Sequence, residues 1–180
     1  LKRIQGNMIY SGSALDFYKD RMLLPSGNEE NWEFVHHKRG GGCAIIPVLP
    51  DGRIMLVKQF RPCVDRETLE LPAGSREIPE EAAETAALRE FEEETGYTAD
   101  SLTFLEKLMT TMSWCDETTD IFIAENIRRI ECARPDDAEE INLCTYTLGE
   151  LTDMIFSGKL QDAKTIAGIM GYAAYKAAHS

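Results

Sequence analysis

The sequence offers little to a histidine, thiolate or disulfide chemistry. Of its three histidines, His36 and His37 are adjacent and face opposite ways on a strand, and His179 stands near the chain end. That pattern argues against a histidine-based metal site. Five cysteines (Cys43, Cys63, Cys115, Cys132, Cys144) are odd in number, widely spaced and without a C-x-x-C pair. Neither a disulfide framework nor a structural zinc site fits them; Cys43 and Cys144 sit in apolar runs and are expected to be packed thiols. No apolar run approaches the length that crosses a bilayer, and no apolar leader core is visible, so a cytoplasmic protein without a membrane partner is expected. Basic charge is also scarce. Lys and Arg total 19 against 31 Asp and Glu, a formal charge of −12, which disfavours a nucleic-acid backbone as partner. A small phosphorylated substrate stays possible, because gathered carboxylates can hold a divalent cation and the cation a phosphate. What matters is whether the acids are spread or gathered.

What is present suits one domain with a sizeable core and a small appendage. No repeat or low-complexity stretch interrupts it. Residues 9–10, 15–24 and 32–37 read as strands, with a turn at Leu24-Pro25-Ser26-Gly27-Asn28. Arg39-Gly40-Gly41-Gly42 is a break and not a phosphate loop, since no helix signal or Lys-Ser/Thr follows. Two apolar runs, 43–49 and 53–60, flank Pro50-Asp51-Gly52 and predict a hairpin. Leu71-Pro72-Ala73-Gly74 opens a loop. The surest helix covers 79–95, with Pro79 at its first position, alanines at 82, 83, 86 and 87, and Gly96 at its stop. Strands are expected at 102–109, 121–124 and 141–148, then helices at 149–156 and 162–177. Without regular βαβ alternation the class is α+β or a mixed-sheet sandwich.

The acids are gathered on that helix. Glu90, Glu93 and Glu94 fall at i, i+3 and i+4 on one face, while Glu92 points elsewhere. Like charges so spaced cost an isolated helix roughly 0.2–0.5 kcal/mol per pair. One reading is a solvated acidic face; the other is a hard-cation site, since Mg²⁺ takes carboxylate oxygens together with waters and substrate phosphates.

The wider pattern resembles the Nudix box, G-x5-E-x7-R-E-U-x-E-E-x-G-U with U a bulky apolar residue. From Glu81 the match is complete: Arg89-Glu90-Phe91, Glu93-Glu94, Gly96 and Tyr97. One departure is an extra loop residue, six instead of five between Gly74 and Glu81. The resemblance implies a Nudix fold, a mixed sheet between helices (α/β/α) over residues 39–180, with an N-terminal antiparallel β extension over 1–38. It implies Glu90, Glu94 and the Ala73 carbonyl as metal ligands, with Glu93 assisting. Arg89 and Glu81 are then groups that hold the carboxylates. The implied cofactor is Mg²⁺, with Mn²⁺ as a substitute.

Beyond the box, Lys58-Gln59-Phe60-Arg61-Pro62 and Glu70-Leu71-Pro72-Ala73-Gly74 are similar to stretches of ADP-ribose pyrophosphatases and other nucleoside diphosphate sugar hydrolases. By that resemblance Arg61 and Glu70 bind substrate or support the loop, and Glu117 approaches substrate or metal. The acidic loop Asp137-Ala138-Glu139-Glu140 falls where this group carries its base, with Glu139 favoured over Asp137 and Glu140 and a solvated loop as the alternative. Trp32 is a candidate for stacking on the base, against a core or interface role. Residues 158–165 resemble the turn into the closing helix, an architectural feature. Met112 stands where ADP-ribose pyrophosphatases typically carry a proline, sixteen residues after Gly96. ADP-ribose, cleaved to AMP and ribose 5-phosphate, is the first expected substrate; another nucleotide sugar or a dinucleotide is the alternative. A Nudix fold kept as a ligand-binding or regulatory module without turnover is a reading of a different class. The N-terminal strands imply a homodimer.

Overall fold

The computed structural model describes residues 1–130 and 141–179. Its centre is a mixed sheet in the order β10-β11-β5-β8, built from β5 (Gly42–Pro47), β8 (Ala73–Ser75), β10 (Leu102–Met109) and β11 (Thr118–Ala124). β5 and β11 run parallel; the other pairs are antiparallel. Both central strands are buried on both faces, which is why 43–47 and 121–124 read as apolar runs. Cys43, Ile45, Phe122 and Ala124 face α1 (Ala83–Thr95) through Ala86, Ala87 and Phe91. Ala44, Ile46, Ile121 and Ile123 pack in a second cluster with Leu56, Leu71, Leu151 and Ile169. That cluster joins a three-stranded sheet, β13 (Asn142–Tyr146), β6 (Ile54–Arg61) and β7 (Arg66–Glu70), to the helices α2 (Leu148–Phe156) and α3 (Ala163–Ala178). The α+β layering with helices on both sides matches the expected fold class.

The hairpin expected at 43–60 forms its turn but not its ladder. Leu49 N–H donates to Arg53 O and Gly52 N–H to Leu49 O, both at 2.8 Å, yet one bridge, Val48 to Ile54, is all that joins the strands. Each strand finds partners on both of its edges in a different sheet, β5 between β11 and β8, β6 between β13 and β7. The turn is therefore a corner between sheets. The three-residue strand β8 falls where a loop was expected, and the charge-rich β7 stands where no element was expected.

α1 begins at Ala83, not Pro79. Residues 78–81 close a turn (Glu81 N–H to Ile78 O, 3.1 Å), and the Glu81 carboxylate accepts the Glu77 N–H at 2.7 Å. Gly96 ends the helix in the left-handed region, φ 72°.

The N-terminal strands β1 (Lys2–Gln5), β2 (Met8–Ser11), β3 (Leu15–Leu23) and β4 (Glu29–His37) form an antiparallel sheet of their own, with β1 and β2 along one edge of β3 and β4 along the other. β9 (Tyr97–Thr98) and β12 (Arg128–Arg129) make a small ribbon beyond α1. Among the described residues no helix is long and apolar enough to cross a membrane.

Candidate active site

The loop from Leu71 to Ser75 is fixed at nearly every backbone group. Leu71 N–H donates to the buried Thr165 Oγ1 (2.8 Å) at the start of α3, and Ile45 N–H donates to Pro72 O (2.9 Å). Ala73 N–H donates to Glu94 Oε2 (3.1 Å), and Ser75 O accepts from Arg89 (3.0 Å). Glycine at 74 has a steric cause: a Cβ there would overlap the Glu90 carboxyl group. Two of the three carboxylates on the helix face thus lie against the Ala73-Gly74 backbone.

Arg89 gathers the remainder. Its guanidinium donates to Glu90 Oε1 (2.8 Å), Glu93 Oε2 (3.3 Å) and Glu81 Oε2 (3.5 Å) as well as Ser75 O. Although burial opposes its charge, hydrogen bonds and charges from Glu90 and Glu81 push its pKa above the usual arginine value. Glu81 is held below the usual carboxylate range by the Glu77 N–H and then by Arg89. Starting the helix at Ala83 leaves Glu81 outside it and free to reach Arg89. The loop with the extra residue is pinned halfway as well, by Arg76 on the buried Asp120 (2.8 Å), which Lys107 also approaches (3.5 Å).

In this arrangement, among the described residues, no three acids, cysteines or histidines converge at metal-holding distance. Glu90 and Glu93 are turned to Arg89 and Glu94 to the Ala73 N–H. The donor set still suits a hard divalent cation, because it consists of carboxylate oxygens against a backbone cradle with room for nothing larger than hydrogen at position 74. Cys43 does not compete. Burial first, then the Glu90 charge, pushes its thiol up to about 12, so no thiolate forms at neutral pH. It is packed, as expected, whereas Cys144 is half-buried.

Ala73 and Gly74 open on a cleft of about 560 Å³ that Arg61, Thr110, Trp114, Glu117 and Lys164 also line. Glu117 is half-buried, with Oε2 accepting from Thr110 Oγ1 (2.9 Å) and Oε1 lying 3.9 Å from His37 Nε2. Arg61 is paired in a bidentate bridge with Glu70 (2.8 Å to each oxygen), and Thr68 (2.6 Å) and Lys164 bind the same carboxylate. Burial would raise the Glu70 carboxyl, but these four bonds outweigh it and hold the pKa at about 2. Glu70 is thus enclosed and ties β6, β7 and α3 together, while Arg61 reaches the cleft.

Sequence reasoning missed Lys164, Asp162, Thr165 and Thr110. The stretch read as architecture places Asp162, Ala163 and Lys164 in the cleft wall. Its signal was there in Asp162 at a helix N-cap, which binds Thr165 N–H (3.0 Å), Thr165 Oγ1 (2.6 Å) and Lys164 (3.0 Å). Trp32 on β4 and Met112 are both exposed, and neither lines the cleft. Asp137, Glu139 and Glu140 lie outside the described residues.

Comparison with known proteins identifies the family. The NUDIX domain family model matches residues 38–167. The chain is 38% identical to an ADP-ribose pyrophosphatase of Bacillus subtilis, covering 93% of this chain and 90% of that one. It is 31% identical, with the same coverage, to a methanol dehydrogenase activator of Bacillus methanolicus. The solved structure of an ADP compounds hydrolase superposes with a TM-score of 0.86 over 99% of this chain and 95% of the other, at 17% identity, which shows a shared fold. The chain therefore belongs to the Nudix family, as a hydrolase of a group whose members generally need a divalent metal ion.

Proposed function

We propose that the protein hydrolyses the diphosphate of a nucleoside diphosphate sugar in a Mg²⁺-dependent reaction, and that its substrate is ADP-ribose, released as AMP and ribose 5-phosphate. The observation that carries this is the placement of Glu90 and Glu94 against the Ala73-Gly74 backbone at the floor of a cleft with Arg61 and Lys164 on its wall. The 38% identical ADP-ribose pyrophosphatase supports the substrate.

Glu90, Glu94 and the Ala73 carbonyl would hold Mg²⁺, or Mn²⁺ in its place, with Glu93 assisting. Such an ion supplies charge neutralisation of the diphosphate and a lowered pKa for the attacking water. The chain supplies the rest. Arg89 keeps the carboxylates oriented through its contacts with Glu90, Glu93 and Glu81. Arg61, kept rigid by Glu70, stands in the cleft wall where it would meet the substrate. Glu117, set by Thr110, offers an acceptor to a sugar hydroxyl. Glu139 is the proposed base, Asp137 and Glu140 standing behind it, and Trp32 serves the nucleobase from the N-terminal sheet of a homodimer built through residues 1–38.

The test is release of phosphate esters from ADP-ribose, other nucleotide sugars and dinucleotides, with Mg²⁺, with EDTA, and with Glu94→Gln. Metal-dependent cleavage of ADP-ribose that falls at least 100-fold in the variant is expected. Preference for another nucleotide sugar would move the name to that substrate, and Met112 is the first residue to examine for the cause. The 31% identical methanol dehydrogenase activator supports a second reading, a Nudix protein that regulates another enzyme. Retained ligand binding without any turnover would favour it.

A further inference from the structure

On the far side of Arg61 lies a second cleft, of about 470 Å³, between the β6–β7 hairpin and the connection from α2 to α3. Its wall inverts the charge of the molecule. The chain as a whole has 19 basic against 31 acidic residues, but this cleft is lined by Lys58, Arg61, Arg66, Lys159 and Lys164 against Glu67, Glu70 and Asp162.

The three acids are already engaged. Glu67 pairs with Lys58, Glu70 with Arg61 and Lys164, and Asp162 with Lys164. Arg66 and Lys159 are left without a carboxylate partner among the described residues. Arg66 is nonetheless oriented, because its guanidinium donates to the neutral Gln161 Oε1 at 2.5 Å, a contact that fixes the group without discharging it. Lys159 is exposed one residue after Gly158 on the turn that leaves α2. Two cations from opposite walls, neither with a carboxylate partner among the described residues and one oriented by a neutral acceptor, suit a doubly charged oxyanion.

We propose that this cleft is a second anion site, separate from the carboxylate face, which takes a phosphate group carried by a small molecule or free in solution. Its volume is in the range of small-molecule pockets and leaves room for more than the phosphate. In a chain of net charge −12 an anion gains nothing from the overall field, so its binding depends on these side chains alone. The proposal does not depend on which diphosphate the enzyme cleaves.

Inorganic phosphate, titrated into the protein in EDTA and followed by ¹H–¹⁵N chemical shifts, tests it. The expected result is saturable shifts centred on residues 63–66 and 158–161. Affinity should fall at least tenfold in Arg66→Gln/Lys159→Gln and stay within threefold in Glu94→Gln. Lys159→Gln alone, on an exposed turn, keeps the test valid if the double variant does not fold. Phosphate that competes with the cleaved nucleotide sugar in wild type but not in the variant would assign the anion to substrate recognition; binding without competition would assign it to a free ligand. Absence of titration, affinity unchanged in the variants, or shifts centred on Glu90 and Glu94 would overturn the proposal.

Discussion

Single residues in this protein act through what they hold in place. At Gly74 even a methyl group would displace the Glu90 carboxylate. Gly74→Ala should therefore lower kcat at least 100-fold while the melting temperature moves by only a few degrees, since the loop stays pinned at Leu71, Pro72 and Ala73. A loss of stability in proportion to the loss of activity would show that the glycine serves the fold. Glu70 makes the opposite case. Its folded pKa of about 2 lies below the ordinary 4.5, so the stabilisation is full above pH 4.5 and is lost as pH falls toward 2. The shift corresponds to on the order of 3 kcal/mol. Denaturant unfolding between pH 5 and 2.5 should show that slope, and Glu70→Gln should remove its share of it. At neutral pH the same variant should lose about 3–5 kcal/mol, because Arg61 and Lys164 lose their shared counter-charge. The box residues were legible because their spacing is itself the signal. Lys164 was not, since it meets Glu70 ninety-four positions away in the chain and no local pattern encodes that encounter.

At the scale of elements, periodicity revealed the helices and apolar runs but not how their edges pair. Pro50-Asp51-Gly52 looks like a hairpin because turn chemistry is local, whereas the choice of β11 and β8 over β6 as neighbours of β5 is made by burial on both faces. The start of α1 shows the same limit. Pro79 and the alanines favour a helix from 79, but Glu81 is more useful outside it, on Arg89. The true N-cap, Ala82, is extended and donates no side-chain cap, whereas α2 carries a full capping box between Thr147 and Glu150. Site geometry has here displaced helix optimisation. Ala82→Ser should accordingly stabilise the protein by about 0.5–1 kcal/mol, read from the denaturation midpoint, with little change in kcat. A gain in stability bought by a large fall in kcat would mean that the cap reorients Glu81.

At the scale of the whole molecule, the N-terminal sheet and the cleft beside Ala73 and Gly74 are linked through a seam along β4. Val35 N–H donates to Trp114 O (2.7 Å), His36 Nδ1 contacts Asp116 Oδ2 at 2.6 Å, and the Asp116 Oδ1 accepts His37 N–H (2.9 Å). β4 thus braces the segment that carries Trp114, Cys115 and Glu117 into the cleft. Met8, Ile9 and Tyr10 are exposed together on the edge strand β2, while Leu15 and Trp32, also exposed, lie on opposite faces of the sheet by the β3–β4 register. Scattered exposure is ordinary, but the β2 cluster is what a homodimer through residues 1–38 would bury. Such a dimer would unite two chains of charge −12, so its association should tighten as salt screens their repulsion. Sedimentation equilibrium at 20 mM and 300 mM NaCl is expected to give a dimer whose dissociation constant falls severalfold at the higher salt. Tyr10→Glu should return it to monomer and, because β4 remains docked on the cleft wall, should raise KM more than it lowers kcat. A monomer at both salts and at enzyme concentrations of 100 μM would remove the dimer and, with it, the place proposed for Trp32 at the nucleobase.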